Sequence, residues 1–392
     1  MERLAGPLML RLGRAGRNFV ACLCLLALAA CGDGLDLGRE AVSKAELTQP
    51  IGAGPIKVAL LLPFSASGGN ARAARALRNA ADLAMSEISD PQIQILPIDT
   101  GGTTEGARAA AQAALGSNVR LVLGPLTAVE VRGVAPVARV ANVPIISFST
   151  DSTVATSGVY LLSFMPEGEI DRVLRHAIGG GARRFAALLP RGEHGDVAES
   201  TFRSRVGLAG REAVAIERYG DQAQLEAAIA AIAEVAGGEK PKVDALFVLE
   251  AGTLPKLAEA GVKQGEVQIL GSGQWNEAEV WAMPEAAGAW YAAPTPTGFE
   301  AFGRKYQARF NAPPPRYATV GYDAVSLVAA LAGLGGERGF DEQILTNADG
   351  FAGIDGVFRF RKTGLVDRGL AVMEIRDGAA AVRDPAPSAF GS

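Results

Sequence analysis

From Ile56 onward the chain alternates short apolar runs with amphipathic stretches. Lys57 to Phe64 (KVALLLPF) is almost continuously apolar, the pattern of a strand in a parallel sheet covered on both faces. A Ser-Ala-Ser-Gly-Gly loop follows. Leu77, Ala81, Ala84 and Ile88 then recur at helical spacing, which predicts a helix opening near Asn70. The alternation continues with strands over Gln92 to Ile98, Val119 to Gly124 and Val143 to Phe148. Between them lie a helix capped by Thr103 or Thr104 and running to about Leu115, and a helix over Val129 to Ala141. Repeated β–α units of this length predict a doubly wound parallel sheet.

The pattern then restarts. Tyr160 to Phe164 leads into a helix over Glu167 to Ile178, and Arg184 to Pro190 (RFAALLP) reads as a strand. Strands over Ala213 to Tyr219, Ala245 to Leu249 and Gln268 to Gly271 follow, separated by helical patterns at Val197 to Leu208, Gln224 to Val235 and Leu254 to Ala260. This is a second doubly wound lobe. Ala289 to Ala293 turns back, and helices are predicted over Gly298 to Phe310 and Ala318 to about Leu334. The tail from Phe351 reads as antiparallel strands turned at Gly364 and at Asp377-Gly378. The expected fold is α/β, with two Rossmann-like doubly wound lobes.

The N-terminus has a different character. Arg3, Arg11, Arg14 and Arg17 precede an apolar run, Phe19 to Ala30, with the order of a secretory signal. That run is too short to cross a hydrocarbon core of about 30 Å as a helix. It ends in Leu28-Ala29-Ala30-Cys31-Gly32, which resembles the lipobox of bacterial lipoproteins. The resemblance implies removal of residues 1–30 and lipidation of Cys31, hence attachment to a membrane by acyl chains rather than by a spanning helix. The residue after the cysteine is Gly32, not aspartate, which leans toward the outer membrane. Residues 31–55 show no sustained period and read as a flexible tether.

Composition narrows the chemistry. The 392 residues are 48% hydrophobic and 20% charged, with a net charge of -4, the profile of an acidic globular protein. Four of the arginines fall in the leader, so the mature chain is more acidic still and is a poor fit to nucleic acid. Of three cysteines, Cys22 and Cys24 precede the cleavage site, leaving Cys31 with no disulfide partner in the same molecule. The two histidines, His176 and His194, form no metal-ligand cluster, and the chain has no P-loop, G-x-G-x-x-G or G-x-S-x-G motif. Neither catalysis nor a cofactor is expected.

Several stretches from residue 56 to about 380 resemble the type I periplasmic solute-binding family, in its leucine/isoleucine/valine-binding branch. They are Ser65-Ala66-Ser67-Gly68 after the first strand, Val122-Leu123-Gly124-Pro125-Leu126-Thr127, and Asn142 to Ser149 (NVPIISFS). Later come Phe299 to Phe310, Pro313 to Tyr317, Gly321-Tyr322-Asp323-Ala324-Val325, and Phe351 to Gly356 with Phe358-Arg359-Phe360. The resemblance implies two lobes joined by a three-strand hinge around a cleft. It assigns 56–163 with about 290–340 to the first lobe and 164–289 with about 341–385 to the second. Leu60 to Pro63, Asp99-Thr100-Gly101-Gly102-Thr103-Thr104-Glu105-Gly106-Ala107 and Leu123 to Leu126 resemble more closely the penicillin-binding protein activators, lipoproteins of the same fold that contact a peptidoglycan synthase. The function this resemblance implies first is regulation of peptidoglycan synthesis, with a substrate-binding receptor of an ABC transporter for branched-chain amino acids or related solutes as the alternative. The implied partners are that synthase or, in the transport branch, an ABC permease. The implied location is the periplasm.

Open α/β sheets bind ligands at the carboxyl ends of their strands. The cleft candidates are therefore Ser65, Ser67, Leu126, Thr127, Ser147, Ser149, Thr150 and Asp151 in the first lobe, and His194, Glu250, Gln274 and Trp275 in the second. Trp275, Trp281 and Trp290 read more readily as core than as stacking platforms, and Asp323 as a structural residue near the hinge. In amino-acid binders of the family, hydroxyls hold the ligand carboxylate, and an aromatic and an acid in the second lobe hold its other end. Here Ala128, Asp151, His194 and Gly273 stand at or near a serine, a threonine, a tyrosine and that acid, which weakens the case for an α-amino-acid ligand.

Overall fold

The computed structural model describes residues 43–390; the leader, Cys31 and most of the tether lie outside the described residues. After a short helix α1 (Lys44–Leu47), the first sheet is built from β1 (Ile56–Leu62), β2 (Ile93–Asp99), β3 (Leu121–Leu123), β4 (Ile145–Ser147) and β5 (Val159–Leu161). Its strand order is β2-β1-β3-β4-β5, all parallel. Helices α2 (Gly68–Glu87), α3 (Thr104–Gly116) and α4 (Ala128–Val140) connect the strands. Six of the seven β1 residues are buried, as covering both faces of a parallel sheet requires.

The second sheet repeats this winding. Its strands are β6 (Arg184–Pro190), β7 (Glu212–Tyr219), β8 (Ala245–Val248), β9 (Gln268–Leu270) and β10 (Trp290–Ala293). The connecting helices are α5 (Pro166–Gly179), which enters from β5, then α6 (Glu193–Leu208), α7 (Gln222–Ala236), α8 (Leu254–Glu259) and α9 (Ala278–Trp281). The order β7-β6-β8-β9-β10 matches that of the first sheet. Beyond it come α10 (Pro296–Phe310), α11 (Ala318–Gly335), α12 (Glu342–Leu345) and a small antiparallel sheet, β11 (Phe351–Gly353), β12 (Gly356–Phe360) and β13 (Val366–Arg368). The chain ends in β14 (Ala371–Arg376) and β15 (Ala379–Asp384), which extend the second sheet antiparallel beside β10. The turn between β14 and β15 places both Asp377 and Gly378 at positive φ, the geometry that an Asp-Gly pair favours in a two-residue hairpin.

Three short segments connect the lobes: Leu162 to Met165, Pro294-Thr295 and Gly369-Leu370. The first is tied to the β12–β13 hairpin that leads into the third: Leu161 N–H donates to Gly364 O at 2.8 Å and Arg368 Nε to Ser163 O at 2.9 Å. The buried apolar residues of the two sheets form separate clusters. Each lobe therefore has its own core.

The structure moves three boundaries read from the sequence. Trp290–Ala293 belongs to the second sheet rather than the first lobe, because it pairs parallel with β9 and antiparallel with β14. Residues 351–368 belong with the first lobe, since Phe358, Phe360 and Val366 are buried in the cluster that holds Val58, Leu60 and Tyr160. The Tyr160 and Phe360 rings lie 5.4 Å apart. Nor does the tether extend to residue 55: Leu47 and Ile51 are buried, and Ile51 exchanges two backbone hydrogen bonds with Ile95 at 2.9 Å. Helix α11 is long and apolar enough to cross a membrane, yet it is largely buried against α2 as a core helix.

Candidate functional site

In the first lobe three of the six hydroxyls predicted to face a ligand, those of Thr127, Ser147 and Ser149, are already bonded within the lobe. Thr127 caps α4: its Oγ1 accepts from Glu130 N, and Glu130 Oε2 accepts in turn from Thr127 N–H at 3.0 Å and from its hydroxyl at 2.7 Å. This is a capping box. Glu130 is 0% exposed, and its other oxygen accepts from the Thr100 hydroxyl. Ser147, also 0% exposed, donates to Pro125 O at 2.9 Å and accepts from Ser149 N–H at 3.1 Å. Ser149 Oγ accepts from Asp151 N–H at 3.1 Å, and Asp151 bonds to Thr153 and pairs with Arg132. Those contacts hold the Asp151 carboxyl below the usual range against the opposing effect of burial. Leu126 packs against the core. Exposed at the strand ends are Ser65, Ser67 and Thr150.

The loop after β2 explains the Asp-Thr-Gly-Gly-Thr stretch. Asp99 Oδ1 accepts from Ser65 N–H at 3.1 Å and from Gly101 N–H at 3.0 Å, and Thr103 caps α3 by accepting from Gly106 N. Its residues serve the turn and the helix start.

In the second lobe, His194, Glu250 and Gln274 are exposed. The Gln274 amide donates to His194 Nε2 at 2.9 Å, tying the loop after β9 to the start of α6. Glu250 Oε2 accepts from the Tyr219 hydroxyl at 2.6 Å, and burial with this contact raises the phenol's pKa. Trp275 is a correction to the site as read from sequence. It is 1% exposed, donates from Nε1 to Leu249 O at 3.1 Å, and packs its ring on Gly271. It is a core residue of this lobe.

Sequence reasoning missed Glu169. Gly273 N–H donates to Glu169 Oε2 at 3.0 Å, and a Cβ built on Gly273 would lie 2.4 Å from the Glu169 carboxylate. The first turn of α5 thus supplies an acid at the loop where the family pattern puts one on the loop itself. Burial pushes the Glu169 carboxyl up to about 7. The one sequence signal is its place in the acidic first turn of a helix entering from the hinge.

Glu169 adjoins a further group of charges at the hinge. The Phe164 ring lies between two guanidinium groups, Arg316 at 5.1 Å and Arg368 at 4.7 Å from its centroid. Arg316 pairs with the buried Asp355, whose other oxygen accepts from Thr319 Oγ1 at 2.5 Å. Asp323, 3% exposed, accepts from Ile354 N–H at 2.8 Å, in keeping with the structural role read for it. Burial raises its carboxyl to about 7. Asp323 Oδ2, Glu167 Oε2, Arg316 Nη1 and both Nη atoms of Arg368 are buried without a hydrogen-bond partner. Among the described residues no group of His, Cys, Asp and Glu is arranged to hold a metal ion.

The sequence model described as "Periplasmic binding protein" matches residues 55–380. Similar solved structures include a putative branched-chain amino acid ABC transporter protein from Rhodospirillum rubrum, with TM-score 0.73 and 19% identity over 83% of this chain and 99% of that one. Another is the solute binding protein of an ABC transporter from Rhodopseudomonas palustris BisB5 in complex with 3,4-dihydroxybenzoic acid, with TM-score 0.62 and 19% identity over 86% and 98%. A third is a branched-chain amino acid transporter substrate binding protein from Streptococcus pneumoniae in complex with isoleucine, with TM-score 0.57 and 21% identity over 84% and 99%. Among curated proteins no relative matches the chain.

Proposed function

Because the chain belongs to the periplasmic binding protein family, we propose that it is a periplasmic solute receptor that holds a small polar ligand between its lobes and presents it to an ABC permease. The supporting observation is the pair of independently cored lobes joined only by short crossing segments, the arrangement that permits closure around a ligand. The residues proposed to meet the solute are Ser65, Ser67, Thr150, His194, Glu250 and Gln274, with Glu169 supplying the acid. Thr127, Ser147 and Asp151 are committed elsewhere. The proposed site therefore departs from the amino-acid pattern. Amino acids and aromatic carboxylates, the ligand types named for the neighbours, are the first to test. A solute at 100 times its dissociation constant stabilises the folded state by about 2.7 kcal/mol, readable as a thermal shift. No shift with any member of such a library would sink the receptor reading.

The second reading is an activator of a peptidoglycan synthase, motivated by the Asp99 to Ala107 stretch. Its support is weaker, because the turn and the α3 cap already account for Asp99, Gly101 and Thr103. A pull-down with a bifunctional synthase that changes its polymerisation rate would favour it over transport. The acyl anchor at Cys31, with an outer-membrane location, accompanies either reading. Labelling with a radioactive fatty acid that persists in Cys31→Ser would overturn it.

A further inference from the structure

Beside the hinge lies an open groove of about 1180 Å³ that includes none of the strand-end candidates. One wall is second-lobe α5 and α6, carrying Arg172, Arg175 and Arg205; the other is the first-lobe β12–β13 hairpin, carrying Arg359, Arg361 and Arg368. The Arg368 guanidinium is buried, with Asp323, Asp355 and Glu169 as its neighbouring acids. Against the other five arginines stand four carboxylates, Glu167, Asp171, Asp367 and Asp384. Three of the four are shared. Asp171 serves Arg175 and Arg205, Asp367 serves Arg359 and Arg361, and Asp384 serves Arg172 and His176. A guanidinium has five N–H donors, so sharing a carboxylate leaves donors to spare on both walls. The groove thus carries a slight excess of cationic charge, with unused guanidinium donors, in a chain whose net charge is -4.

Planar guanidinium forks match carboxylate and phosphate oxygens, and pairs of them on facing walls suit a ligand with charged groups at both ends. We propose that this groove binds a small anion bearing two or more oxyanion groups, of the pyrophosphate or citrate kind, which bridges the two lobes at the hinge. The proposal is independent of what the strand-end loops hold.

Arg175 and Arg361 serve for the test, since both side chains are more than half exposed and each stands on a different wall. The full-length protein is titrated calorimetrically at low salt with pyrophosphate, with citrate, and with acetate at matched ionic strength. Saturable binding of either polyanion is expected, with acetate showing none. Arg175→Gln and Arg361→Gln are each expected to weaken it about tenfold, the scale of one charge-assisted hydrogen bond, with unchanged melting temperature. Which polyanion binds decides between phosphate and carboxylate chemistry. Absence of saturable heat with both polyanions, equal binding of acetate, or loss in only one of the two variants would overturn the bridging site.

Discussion

The Glu169 carboxylate occupies the space that any side chain at position 273 would need, and it accepts the Gly273 backbone N–H at 3.0 Å. Gly273→Ala therefore forces the carboxylate away and breaks that bond. We expect a loss of about 1–3 kcal/mol in denaturant unfolding, the usual cost of overpacking. In a Glu169→Ala background the same substitution should cost much less, because the two changes share one contact. Additive losses would contradict the contact.

Glu169 and Asp323 both have carboxyls raised to about 7 by burial. The folded protein keeps protons there that the unfolded chain releases near pH 4. Folding then takes up protons between these limits, so stability falls as pH rises toward 7 and levels off above it. The melting temperature of the wild type should drop between about pH 5 and about pH 8 more steeply than that of Glu169→Gln/Asp323→Asn. Parallel curves would show that neither group carries the effect.

Trp275 and Gln274 are neighbours in sequence with opposite fates. Trp275→Ala removes a buried indole and its bond to Leu249 O, and should cost about 3–5 kcal/mol of stability. Gln274→Ala removes an exposed amide that touches His194, and should leave the melting temperature nearly unchanged while weakening solute binding. Equal stability losses would place Gln274 in the core as well.

Thr127 has its hydroxyl in a capping box, so Thr127→Ala should destabilise by about 0.5–2 kcal/mol without altering solute affinity. A loss of affinity with intact stability would return this hydroxyl to the ligand.

Local periodicity made the elements legible. The run KVALLLPF and the 4-3-4 spacing after it are strand and helix patterns wherever they occur, and both elements are present as β1 and α2. Partnership across long sequence distances was less legible. Nothing local in Phe358-Arg359-Phe360 says that the Phe360 ring packs on Tyr160, far away in the sequence, rather than on the second lobe. The site suffered the same way. Thr127 and Ser147 stand at strand ends, where ligands bind, but the sequence does not reveal that Glu130 and Pro125 O already take their hydroxyls. Glu169 was hidden because its role depends on a glycine about a hundred residues later.

Closure of the two lobes on a solute is read most directly from the distance between them. Spin labels at Asn70 on α2 and Glu193 on α6, both exposed, report the separation of the lobes by pulsed electron paramagnetic resonance. With pooled amino acids and aromatic carboxylates present, a shortened distance distribution is expected. An identical distribution with and without the pool would contradict closure.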